Sequence, residues 1–216
     1  MKRFATTVAG MALALAVAAP VSAQTIEGSA HDFSGETWAV NGEICNVCHT
    51  PHAADITVTA APLWNHTVTT TDWTGALYGG YDMQSSPTTP TGSSLLCLSC
   101  HDGTVALDAF GGGAGTSGTI ATLFPARNIG TTLADDHPVG IDYTVAFAGD
   151  NEIRDPTADP GWAGSGITAI SEVLDGGITM ECASCHDVHN NGATGAGFLL
   201  RAVNTGSDLC LGCHIK

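Results

Sequence analysis

Cys182-Ala-Ser-Cys185-His186-Asp-Val-His189, followed closely by Cys210-Leu-Gly-Cys213-His214, is the stretch that decides how this chain is read. The same phrase occurs twice earlier, as Cys45-Asn-Val-Cys48-His49 and Cys97-Leu-Ser-Cys100-His101. All 8 cysteines therefore lie in C-x-x-C pairs, and a histidine follows every pair. With 9 His in 216 residues, chance alone would place four such followers about three times in a million. C-x-x-C-H is the covalent attachment sequence of c-type haem. One helical turn sets both sulfurs on one side of the backbone, where they reach the two vinyl groups of one porphyrin. The next residue then meets the iron from that face. Cys45, Cys48, Cys97, Cys100, Cys182, Cys185, Cys210 and Cys213 are thus the expected attachment residues. His49, His101, His186 and His214 are the expected proximal iron ligands, and four covalent haems are the expected cofactors.

Other uses of these cysteines fit less well. Structural zinc sites also use C-x-x-C pairs, two to a metal, but do not require a histidine after each. A thioredoxin-like redox centre uses a single pair. An exported chain favours disulfides, yet export is here coupled to the haem spacing. The export signal is clear: Lys2 and Arg3 precede an uncharged apolar run from Val8 to Ala19, and Val21-Ser22-Ala23 offers small residues for cleavage. The apolar run is shorter than the roughly 20 residues needed to span a bilayer. Residues 1–23 are read as a signal peptide and 24–216 as the tetrahaem domain, with no transmembrane segment left after cleavage. An N-terminal haem pair is expected over about 24–110 and a C-terminal pair over about 130–216.

Each iron needs a second axial ligand. Five histidines stand outside the motifs, His31, His52, His66, His137 and His189, against only two methionines after residue 23, Met83 and Met180. That supply points to bis-His ligation, with four of the five serving as distal ligands. His52 follows His49 by three residues, and His189 follows His186 by three. Such a short tether cannot fold back over its own porphyrin, so each is expected to serve a neighbouring haem. Pro138 stiffens the backbone beside His137. His31 and His66 are the more replaceable of the five.

Composition excludes several function classes. Cleavage leaves 4 basic against 21 acidic residues, a net charge of −17, which argues against a nucleic-acid partner because phosphate binding needs Lys and Arg. Only 6% of residues are aromatic, too few for an ordinary core, so haem planes are expected to fill much of the interior. The attachment motifs are expected to be single helical turns or short helices. Gly111–Gly118 reads as a flexible loop, Ile141–Phe147 as a strand from its alternation, and Ile167–Leu174 as a short helix ended by Gly176-Gly177. Long amphipathic helices are absent. No carboxylate pair reads as catalytic. A haem enzyme needs an open axial position, which the five spare histidines leave unprovided; a haem sensor would need a signalling domain for which no sequence remains. Reduced bis-His haem should not bind carbon monoxide, and that separates a conduit from an enzyme.

His31-Asp-Phe-Ser, Cys-His-Thr-Pro-His52, Pro62-Leu-Trp-Asn-His66, Cys-Leu-Ser-Cys-His101-Asp-Gly-Thr-Val-Ala, Asp136-His-Pro-Val-Gly and Cys-Ala-Ser-Cys-His186-Asp-Val-His occur in that order. Carrying these phrases, residues 24–216 resemble the tetrahaem c-type cytochromes of dissimilatory metal-reducing bacteria. Among those they resemble the OmcE-type outer-surface cytochromes that form extracellular filaments. The resemblance implies a mostly irregular chain, with short α-helices and few short strands, wrapped around a stacked chain of bis-His haems. It also implies electron transfer outside the cell, redox partners that are other cytochromes or extracellular acceptors, and a homopolymer in which one axial histidine is donated in trans. The alternative is a monomeric periplasmic electron shuttle; a multihaem reductase is less favoured, and no enzyme activity is expected. His52, tethered to the first haem, is the expected donor in trans. Axial His in place of Met, together with the carboxylate excess, should hold the potentials low.

Overall fold

The structure is a computed structural model and describes residues 26–75, 77–78, 83–189 and 199–215. Residues 1–23, read from sequence as a signal peptide, lie outside the described residues. Regular structure is sparse. The helices are α1 (Gly92–His101), α2 (Ile120–Leu123), α3 (Tyr143–Gly149), α4 (Cys182–Cys185) and α5 (Asp208–Leu211), interspersed with short 3-10 turns. Two-residue strands β1 (Ile141–Asp142) and β2 (Thr179–Met180) pair antiparallel, Ile141 opposite Met180. No helix among the described residues is long and apolar enough to cross a membrane.

The attachment motifs carry much of this helical structure. Motif two lies inside α1, motif three is α4, and motif four begins in α5. The first motif is a bare helical turn closed by His49 N–H donating to the Cys45 carbonyl at 2.8 Å. The same closure recurs from His186 to Cys182 and from His214 to Cys210, at 3.0 and 2.9 Å. The turn is what brings the two sulfurs of each pair to one side.

Two local expectations change. Ile141–Phe147 is not one strand: only Ile141 and Asp142 are extended, and α3 begins at Tyr143. Asp142 caps that helix by accepting from the N–H groups of Thr144 and Val145, a local bond that outweighs the alternating pattern. Of Ile167–Leu174, only Ile170–Val173 is helical, and as a 3-10 turn. Gly176 and Gly177 follow at positive φ, which glycine adopts without a steric cost. Gly111–Gly118 has neither helix nor strand and hangs on Asp108, which accepts from Thr116 N–H and Ser117 N–H.

The apolar interior is split. One cluster gathers Tyr143, Trp162, Ile170, Met180 and Leu209 around Cys213 of the fourth motif. A smaller one joins Trp73, Tyr78 and Leu133 to Leu98 of the second, with Met83 packed against it. Helices α1 and α4 are stitched together: Ser94 and Ser93 hydroxyls accept from Cys182 and Ala183 N–H at 2.9 and 3.4 Å. That contact joins the N-terminal and C-terminal motif pairs.

Candidate haem-binding sites

Three pairs of histidine rings lie close together, inclined by 44°, 26° and 76°. His31 and His101 have ring centres 6.1 Å apart, His49 and His189 6.0 Å, and His137 and His214 6.3 Å. A metal–imidazole nitrogen bond of about 2 Å on each side, plus roughly 1 Å from nitrogen to ring centre, sets centroids about 6 Å apart. Each pair joins one motif histidine to one histidine from elsewhere, across 70 to 140 positions of chain. His189, three residues beyond the third motif, reaches the first motif rather than its own.

The ring nitrogens point the same way. Nδ1–H of His49 donates to the Pro62 carbonyl at 2.7 Å, that of His101 to Arg127 at 2.8 Å, and that of His137 to Pro138 at 3.0 Å. A carbonyl can only accept, so Nδ1 is the donor in each, which leaves Nε2 as the nitrogen available to a metal. His31 is mostly buried, and burial, reinforced by the nearby His101 and His186, lowers its pKa to about 4. It is a neutral ring at physiological pH.

The remaining candidates behave differently. His66 is 3% exposed, with Nδ1 against the Thr67 carbonyl at 2.9 Å and Nε2 against that of Ala106 at 3.1 Å. The Cys100 sulfur lies 3.6 Å from its Nε2. His52 is exposed, at a cleft lined by Asn46, Asn65, Phe110 and Gly111. His186 is exposed and its backbone bridges Leu200. Met180 is buried in the larger core cluster and is not among the ring pairs.

Several buried atoms find no hydrogen-bond partner: His31 Nδ1, the indole N–H groups of Trp64, Trp73 and Trp162, and Glu181 Oε2. Such orphans are rare in native proteins and call for a missing partner. They lie by the attachment motifs. Trp64 stands edge-on to His49 at 6.1 Å, a Cβ on Gly212 would run into Trp162, and Glu181 immediately precedes Cys182. Burial pushes the Cys48 and Cys185 thiols up to about 11 and that of Cys100 to about 12. Among the described residues no three His, Cys, Asp or Glu side chains converge on a point that would hold a metal. Paired thiols beside rings that face in twos fit a tethered haem with two axial imidazoles. The hydroxyls of Ser94 and Ser93 in α1 hold the N–H groups of Cys182 and Ala183 in α4, so the sites of motifs two and three are neighbours.

Residues 176–216 match the protein family described as the doubled CXXCH motif. The match indicates a c-type cytochrome-like multihaem protein. It implies covalently bound haem c and supports a part in electron transfer. No curated protein matches the chain.

A feature of the cytochrome that spacing alone did not disclose recurs at three sites. Asn65, Arg201 and Arg154 each donate backbone N–H to the carbonyl of the second cysteine of a motif, Cys48, Cys185 and Cys213, at 2.9, 2.9 and 2.8 Å. Each also donates from its side chain to the residue after the first cysteine: Asn65 Nδ2 to Asn46, Arg201 Nε to Ala183, Arg154 Nε to Leu211, at 2.5, 2.7 and 2.8 Å. The residues before them, Trp64, Leu200 and Ile153, bridge the motif histidines His49, His186 and His214. The residue after each histidine closes the ladder: Thr50, Asp187 and Ile215 donate to Leu63, Leu199 and Glu152. Leu63 and Leu199 take φ of 56° and 58°, an unusual conformation for a bulky side chain. The signal in sequence was an apolar residue followed by Asn or Arg, in a chain with only 6 basic residues.

Proposed function

We propose that the protein is a tetrahaem electron conduit, exported to the cell surface or beyond, with low-potential bis-His haems and no substrate chemistry of its own. The observation that carries this reading is the three histidine ring pairs at the spacing of axial ligands. Bound haem supplies a one-electron iron couple. The chain's part is to hold two imidazoles on each iron in both oxidation states, with His49, His101 and His137 locked by carbonyl acceptors. Ligation that does not change keeps reorganisation small, and imidazole in place of thioether lowers the potential. Mass spectrometry of the exported protein is expected to give the chain from Gln24 with four haems, all low-spin when oxidised. Its reductive titration is expected to lie below the range of His/Met cytochromes. Three haems or fewer on matured protein would refute the reading, as would a methionine–iron charge-transfer band.

Filament formation belongs to the same proposal. Four irons need four distal ligands; three come from His31, His137 and His189, and His66 is enclosed between two carbonyls. The exposed His52 is left to act outward, completing a haem of the next protomer. A head-to-tail contact of this kind does not close and grows a fibre, against the self-repulsion of an acidic chain. Dilution, or His52→Ala, is then expected to release monomers in which one haem of four is five-coordinate and binds carbon monoxide. A dilute wild-type monomer that stays wholly low-spin would assign the protein to the periplasmic-shuttle alternative.

A further inference from the structure

Lys and Arg number 6 in the whole chain, and the described residues contain only three of them: Arg127, Arg154 and Arg201. Two of the three occupy the same structural position, clamped by backbone N–H and Nε to an attachment motif. The equivalent position at the first motif holds the neutral Asn65. A two-point clamp does not itself require charge, since Asn65 makes both bonds. We infer that Arg201 and Arg154 are positioning residues for redox potential: their charges raise the haems of the third and fourth motifs relative to that of the first, building a potential step into the chain.

The physical basis is the sign of the charge. Oxidation adds one positive charge to the iron centre, and a fixed guanidinium nearby opposes it. Each guanidinium is held against its motif, Arg154 Nε donating to the Leu211 carbonyl at 2.8 Å and Arg201 Nε to that of Ala183 at 2.7 Å. The two are not equal. Arg201 is also paired with Asp187 at 3.3 Å, which cancels part of its field, so the effect at the third motif is the smaller. Asn65 keeps the geometry at the first motif without the charge, its Oδ1 accepting from Gly111 N–H at 3.0 Å.

This inference rests on the tetrahaem reading above, and one experiment on the full, matured chain keeps the two apart. Haem count by mass and haem-resolved midpoints, followed by paramagnetic NMR or EPR during titration, are measured for wild type, Arg154→Gln, Arg154→Lys, Arg201→Gln and Asn65→Arg. Arg154→Gln is expected to change the ferric-to-ferrous ratio of one haem by about tenfold at fixed potential, equivalent to about 59 mV downward. Arg154→Lys keeps the charge but loses the planar fork, and is expected to restore most of the shift. Arg201→Gln should lower a different haem by less, and Asn65→Arg should raise the haem of the first motif. Four retained haems whose midpoints do not move, or all move together, overturn the inference and leave the conduit standing. So does Arg154→Lys behaving like Arg154→Gln, since a purely structural clamp would not follow charge. Fewer than four haems in wild type overturns both.

Discussion

A chain produced with all eight cysteines replaced by serine is expected to be unfolded in water at neutral pH, with no slowly exchanging amide core. The longest helix among the described residues has 10 residues, below the length at which an isolated helix holds in water, about 12–15 residues. Both strands have two residues. Among the described residues the apolar interior forms two separate clusters, small for a chain whose length would ordinarily bury about 70% of its unfolded surface. His31 and Trp64 would sit buried with unsatisfied nitrogens, and each such atom costs about 1–3 kcal/mol. The net charge of −17 on residues 24–216 adds self-repulsion. For proteins of this kind cofactor binding is itself most of the folding free energy. Hydrogen exchange on the serine variant and the holoprotein, side by side, is the measurement. Protection at Leu98, Ile170 and Met180 that matches the holoprotein would show that the polypeptide carries its own core.

His189→Ala and His137→Ala are each expected to turn one haem of four from six- to five-coordinate, giving carbon monoxide binding at a quarter of full stoichiometry. The haem affected is the less obvious part. His189 belongs by sequence to the third motif, yet its ring faces His49 of the first, so the defect should appear there. The ring planes supply the assay. His49 and His189 are inclined by 26°, whereas His137 and His214 are inclined by 76°. Near-parallel and near-perpendicular imidazoles give low-spin ferric iron distinct EPR signals, so the two variants should each remove a different one. Loss of the same signal in both, or no carbon monoxide binding in either, would show that the ring pairs are not axial pairs.

Much of the site was legible because covalent chemistry constrains spacing. Two thioethers and an adjacent ligand admit little besides C-x-x-C-H, and the supply of free histidines named a set of candidate distal ligands, three of which the structure sets beside motif histidines. That the ring of His189 would lie away from its own motif was also readable, since a three-residue tether cannot cross a porphyrin, and it lies 6.0 Å from His49. Its destination was not, because a partner 140 positions away is set by tertiary structure, which local spacing does not encode. The strand expected over Ile141–Phe147 failed at one residue: Asp142 offers its carboxylate to two backbone N–H groups, and alternation carries no information about such a cap. The clamps at Asn65, Arg154 and Arg201 escaped notice because two different residue types, a neutral amide and a guanidinium, present the same N–H donor. Pattern matching by residue identity separates what hydrogen-bond geometry unites.

The facing of His49 and His189 has a consequence for biosynthesis. The two rings lie 140 positions apart, so on the exported, bis-His reading proposed above the first attachment motif would leave the export channel long before His189 does. Haem joined there at once would wait, with one coordination position exposed to water and to stray ligands, until the chain had emerged past residue 189. Closing a loop of this size restricts the unfolded ensemble as a disulfide does, by nearly 5 kcal/mol for a ~100-residue span. The final stretch of translation is therefore what seals the site that was made first. A protein truncated before His189 should accumulate as a reactive, oxygen-sensitive species instead of a shorter wire.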